Sequence, residues 1–216
     1  MSTPNRTPAL SRDQVAEAAL GLVDAEGLNA LSMRRLAGRL GVGTMTLYGY
    51  FRDKDDLLAA VVDAAAGDSP EWEERGGDWR AQLARLAHAL RDGLERHPSL
   101  VQLRLRRPIL TPAALRGTEL AMGALLEAGL SRLDAARAFR SLFLYTFGFV
   151  AFSAGGSPDE LRGQARGALA HLPPEEFPVL HASVEEMART LSGDDQFEFG
   201  LAQLLDGIAA RLERPQ

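Results

Sequence analysis

Apolar residues recur at helical spacing along almost the whole chain. Within "SRDQVAEAALGLVDAEG" (11–27), Val15, Ala19, Leu22 and Val23 form one stripe. Ser11 and Gln14 stand in front of it at capping-box spacing, and Gly27 supplies a stop. Two short helices are predicted next, at 32–40 and 44–51, jointed by Gly41-Val42-Gly43. Asp53 and Asp56 mark the cap of a fourth helix running to residue 66.

Beyond "GDSPEWEERGG" (67–77), a breaker-rich boundary, the helices lengthen. Trp79, Leu83, Leu86, Leu90 and Leu94 stripe the first of them until His97-Pro98. Thr111-Pro112 and Ser157-Pro158 each read as an N-cap followed by proline at the first helical position. Leu115, Met122, Leu126 and Leu130 stripe the helix after Thr111, and residues 132–154 are apolar almost all round, as a buried helix requires. Leu180, Val184, Met187 and Leu191 predict a further helix, and "DDQFEFGLAQLLDGIAARL" the last. Alternating strand runs, hairpin signals and internal repeats are missing, so the fold class is all-α. The domains expected are residues 1–66 and a larger helical domain over 67–216.

Composition adds little to this until it is read locally. The 216 residues carry a formal charge of −5, are 46% hydrophobic and lack cysteine, so disulfides and thiolate metal sites are excluded. The most apolar run, "LFLYTFGFVAF" (142–152), is shorter than the roughly 20 residues a membrane span needs. With a polar start "MSTPNRTPALSRD", a cytoplasmic protein is expected. Residues 32–54, however, hold Arg34, Arg35, Arg39, Arg52 and Lys54 against Asp53 alone, and Lys54 is the only lysine of the chain.

That positive island coincides with the two short helices. Leu36, Leu40, Val42 and Leu47 can form a shared seam, Phe51 can plug its end, and Ala37 lets the helices cross closely, which together describe a helix-turn-helix. Side chains 44, 45 and 48 would then project from the second helix, whose width suits a major groove. Thr44 offers a hydroxyl and a methyl to base edges. Thr46, Tyr48 and Tyr50 can donate to phosphates, Lys54 can add charge at the next helix start, and Arg34 can fork onto a guanine. The candidate DNA-contacting set is therefore Arg34, Arg35, Thr44, Met45, Thr46, Tyr48, Tyr50 and Lys54. Singly, each is equally an ordinary surface, cap or core residue; the fold signature, charge and hydroxyls coincide in one window.

The stretch "SMRRLAGRLGVGTMTLYGYFRDKDDLLAAV" (32–61) resembles the DNA-binding domain of TetR-type transcriptional regulators, with Thr46-Leu47-Tyr48, Phe51, Lys54, Leu57 and Leu58 in signature places. The resemblance implies a homodimer on a palindromic operator of double-stranded DNA, and a helical C-terminal domain binding a small-molecule inducer. It departs from the pattern at Gly43, where a capping residue is common, and at Gly49.

By the same resemblance, two late helices pair across the dimer. The final helix, with Phe197, Leu201, Leu205 and Ile208, is one candidate, and residues 132–152, including Phe149, the other. Met122, Leu126, Phe139, Phe143, Tyr145 and Phe147 can line an apolar ligand pocket; each also fits plain core filling. His88 and His97 are isolated, and His171 and His181 lack a carboxylate four residues on, so no metal and no cofactor is expected. No phosphate loop, nucleophile elbow or zinc-protease motif is present, and the adjacent acid pairs diverge on a helix, so no catalytic residue and no enzyme is expected. The competing function is a helical interaction or ligand-binding module that does not read DNA, which the acidic total favours.

Overall fold

In the computed structural model, residues 10–66, 78–106, 111–153, 156–191 and 193–213 are described. All regular structure among them is helical. They form two compact units, one drawn from residues 1–68 and 102–115, the other from 69–101 and 116–216. The boundary stretch 67–77 lies outside the described residues.

The first unit opens with α1 (Arg12–Glu26). Its predicted capping box is formed: Gln14 N–H donates to Ser11 Oγ over 3.1 Å and Ser11 N–H to Gln14 Oε1 over 2.9 Å. The chain leaves α1 at Gly27 with φ 82°, a conformation open to glycine at little cost. Helix α2 (Met33–Leu40) is capped by Ser32 and closed by Gly41 in the left-handed region, φ 68°. Helix α3 (Thr44–Tyr48) is shorter than the predicted 44–51. It ends in a turn in which the N–H groups of Tyr50 and Phe51 both reach Leu47 O. Asp53 caps α4 (Lys54–Ala66), accepting from Asp56 N–H over 2.8 Å.

Leu36, Ala37, Leu47 and Phe51 are buried, and α1 lies along α4 through Val15, Ala19, Leu22, Leu57, Leu58 and Val61. Leu40 and Val42, expected in the same seam, are only half-buried. One clamp had no signal in local spacing. Arg12 donates to Tyr50 O and to Asp56 Oδ1, each over 2.6 Å, and its guanidinium lies 4.4 Å from the centre of the Phe51 ring. Asp56 also accepts from Arg52 N–H over 3.0 Å. The Arg12 hydrogen bond, seconded by the Arg52 amide, lowers the Asp56 pKa from 3.8 to about 2.

Helices α6 (Pro98–Arg106) and α7 (Pro112–Glu127) each lend one end to this unit. Thr111 caps α7, accepting from Ala114 N–H over 3.2 Å, and Asp63 of α4 accepts from Ala113 N–H over 2.8 Å.

The second unit is built on α5 (Trp79–Arg96), α8 (Arg132–Ser153) and α12 (Asp194–Leu212), which pack on one another. Phe197, wholly buried, is their hub. The rings of Tyr145, Phe149 and His88 lie 5.6, 5.2 and 5.5 Å from it, and the Arg91 guanidinium 4.7 Å. Tyr145 crosses α12 over Gly200 and donates its hydroxyl to Phe197 O over 2.8 Å. A Cβ at position 200 would lie 2.5 Å from Tyr145 Cζ and 2.6 Å from Cε2. Glycine there lets the Tyr145 ring lie close against α12, and a Cβ would force that ring to shift. Helix α9 (Pro158–Ala170) carries the predicted Ser157–Glu160 capping box. The helix expected over 180–191 is instead two short pieces, α10 (Pro178–Ala182) and α11 (Val184–Arg189), broken at Ser183, and α11 packs on α9.

Two expectations follow. Asp56 has a depressed folded pKa, so its contribution is fully present above 3.8 and is lost as pH falls towards about 2. The melting-temperature gap between wild type and Asp56→Asn should be constant above pH ~5 and narrow across that window, as read by circular dichroism. Gly200→Ala should lower Tm by roughly 4–8 °C, an overpacking penalty of about 2 kcal/mol in a chain of this size, as read by scanning calorimetry.

Candidate nucleic-acid interface and ligand core

Helix α3 has five residues, too few to persist by itself in water. Gly43 gives it no side-chain cap, and the helix is held by Leu47, which is wholly buried. Fixing Leu47 inward turns the opposite side out. Met45 is 81% exposed and Tyr48 47%, Thr46 is exposed, and Thr44 is half-buried at the start. The result is a face of one thioether, two hydroxyls and a phenol beside the cations of α2 and α4.

The structure sorts those cations. Arg34 and Lys54 are exposed, and neither has a hydrogen bond or ion pair among the described residues. Arg35, in contrast, pairs with Glu26 of α1, and Arg52 with Asp56 over 3.6 Å. Both acids lie outside the 32–54 window, so the charge count there overstates the available positive potential. Arg39, left out by the spacing argument, is exposed near the end of α2 and has no ion pair among the described residues. Tyr50 is half-buried, and its carbonyl is taken by Arg12, so it belongs as much to the clamp as to the exposed face.

The six residues expected to line a ligand pocket do not share one environment. Met122, Phe139 and Tyr145 pack against the core cluster around Leu83, Leu125, Phe197 and Leu201. Phe143 and Phe147 belong to a second, smaller cluster with Leu94, Val101 and Val150. Leu126 points outward and is 39% exposed. The only polar side chain of the set, Tyr145, has its hydroxyl engaged with α12 carbonyls rather than turned to a ligand. Burial raises the pKa of that phenol, with the Glu198 carboxylate adding to the effect.

The residues expected at a dimer interface pack within the single chain. Phe197, Leu201, Leu205 and Ile208 are buried within the single chain, and Phe149 is half-buried against Phe197. The stripe that faces α5 and α8 is thus part of the core of the single chain. Hydrocarbon left exposed on these helices is instead Leu133, Leu144 and Phe152 of α8 and Phe199 of α12. Among the described residues, no three His, Asp or Glu side chains gather as a metal site would need. None of their helices is long and apolar enough to cross a membrane.

Comparison with known proteins agrees with this geometry at both ends of the chain. Residues 15–61 match the family described as "Bacterial regulatory proteins, tetR family", and residues 70–212 match "Tetracyclin repressor-like, C-terminal domain". The HTH-type transcriptional repressor DrrR1 of Streptomyces coeruleorubidus is 35% identical over 93% of this chain and 78% of its own. The structure of Streptomyces coelicolor ActR in complex with actinorhodin superposes with a TM-score of 0.83 at 30% identity, covering 95% of this chain and 98% of that one. BioQ, solved with its double-stranded DNA operator, superposes at 0.63 with 26% identity over 93% and 99%.

Proposed function

Since the chain belongs to the TetR family of transcriptional regulators, we propose that it is a ligand-released repressor that grips a palindromic operator as a homodimer. The observation that carries this reading is the outward face of α3, pinned by Leu47 and flanked by the uncommitted cations Arg34 and Lys54. BioQ, solved with its operator, supports DNA as the partner, and ActR, solved with actinorhodin, supports a small-molecule trigger.

In this reading residues 1–66 bind DNA and 67–216 sense and dimerise. Thr44 and Met45 meet base edges, Arg34 reads a guanine, and Thr46, Tyr48, Tyr50 and Lys54 hold phosphates. Arg35 contributes less, because it must leave Glu26 first. The dimer sets two copies of α3 about one DNA turn apart, roughly 34–36 Å. A ligand in the C-terminal domain favours a different separation, and it shifts the equilibrium only by its differential affinity for the two. Asp63, which holds the start of α7 from α4, lies on the chain path that would carry such a change.

The dimer face is proposed on the exposed hydrocarbon of α8 and α12. Leu133 and Leu144 lie three turns apart on one side of α8, and Phe152 is 87% exposed. Leu144→Arg should convert the protein to a monomer and abolish tight operator binding while leaving helicity intact, as read by analytical ultracentrifugation, anisotropy and circular dichroism.

Fluorescence anisotropy on DNA from upstream of its own gene tests the DNA reading. Affinity should fall steeply as salt rises. Lys54→Ala should weaken all sequences alike and lower the salt slope by about one per protomer, whereas Arg34→Ala should cost about 1–3 kcal/mol at one base pair and relax preference there. Salt-independent binding, or none, would instead favour the interaction-module reading.

A further inference from the structure

We propose that Met45 reads the 5-methyl group of a pyrimidine on the floor of the major groove, so that operator binding responds to methylation of that base. The inference rests on the DNA reading above and names the chemical group that α3 selects. The direction of Met45 is set by Leu47, which is wholly buried beneath α3. At 3.6 residues per turn, position 45 stands about 160° round the helix from position 47, and positions 46 and 48 about 100° to either side of 47. Met45 accordingly points straight out, 81% exposed, with Thr46 and Tyr48 on its flanks.

A lone exposed methionine is ordinary on a protein surface. This one is singled out by its neighbours. Arg34 and Lys54, exposed and without an ion pair among the described residues, draw this face towards a polyanion. The hydroxyls of Thr46 and Tyr48 suit the phosphate walls of a groove, which leaves the thioether for its floor. A thioether is a weak acceptor and no donor. Over the edge of a guanine or an adenine it would cover hydrogen-bonding groups without pairing them, at a cost. The apolar group that the major groove offers is the C5 methyl of thymine, and 5-methylcytosine carries the same methyl on the same ring carbon. Methionine, unbranched and polarisable, adapts to such a contact. No residue from 44 to 48 carries an amide or a guanidinium, the forks that read purines.

Gly43 supports the same placement. Its backbone is ordinary, φ −72° and ψ 147°, and a Cβ there would approach Thr46 Oγ1 at 3.8 Å, an unstrained contact. The fold itself therefore has no need of glycine at 43, and a serine would cap α3 better. A bare backbone at the leading end of α3 lets Met45 sit deep in the groove.

The test begins with a randomised duplex library, from which the full-length protein selects its site. In that site each thymine is replaced in turn by deoxyuridine, which removes only the methyl, and affinity is read by fluorescence anisotropy. One thymine per half-site should be worth about four-fold, the effect of one buried methyl group, and the two together about sixteen-fold. With cytosine at that position binding should be weaker than with 5-methylcytosine by a similar factor. Met45→Ala should melt as wild type does and bind thymine and uracil sites alike, whereas Met45→Leu should keep the preference. Equal affinity across the uracil series, a preference that survives in Met45→Ala, or equal binding of cytosine and 5-methylcytosine would each overturn the assignment. Failure to select any sequence would sink the DNA reading and this inference with it. A selected site indifferent to uracil would leave the DNA reading standing and remove only the role of Met45.

Discussion

Helix α8 carries apolar side chains around most of its circumference, and hydrocarbon left in water opposes folding by about 25 cal/mol per Å². One neighbouring helix cannot cover such a surface. The chain meets the constraint in sectors. Ala135 and Leu142 join the cluster around Phe197, Phe147 and Val150 join a second cluster, and Leu133, Leu144 and Phe152 stay in water on the single chain. The sectors are thus a main core, a smaller apolar cluster and hydrocarbon that a single copy leaves open to solvent.

The amino-terminal unit solves the opposite problem. Its working helix is too short and too poorly capped to stand alone, so its order is borrowed from buried Leu47 and from the turn at Phe51. Arg12 secures that turn from the far end of the unit through Tyr50 O, Asp56 and the Phe51 ring. Charge is divided with similar economy. Arg12, Arg35 and Arg52 are engaged inside the unit, while Arg34, Arg39 and Lys54 are left for the outside.

Local signals made the first four helices legible. Ser11 with Gln14, Gly41 and Asp53 each act within a few residues of themselves, and each does in the structure what its spacing implies. The end of α3 was harder to read, because the chain from Gly49 to Phe51 closes as a turn under tertiary control rather than as another helical turn. The Arg12–Asp56 clamp spans 44 residues and leaves no periodic trace. In the C-terminal half, periodicity reports that a stripe is apolar but not which surface covers it. Phe197, Leu201, Leu205 and Ile208 therefore look equally suited to a dimer seam and to the core they occupy. The residues proposed for a pocket scattered for the same reason.

The crossing of Tyr145 over Gly200 also constrains how this chain can diverge. The two positions interlock, so a larger side chain at 200 displaces the Tyr145 ring unless 145 has already shrunk. Drift at this crossing is easier when 145 changes first, since the reverse order passes through a crowded intermediate. Descendants should vary at the two sites jointly, with 145 leading.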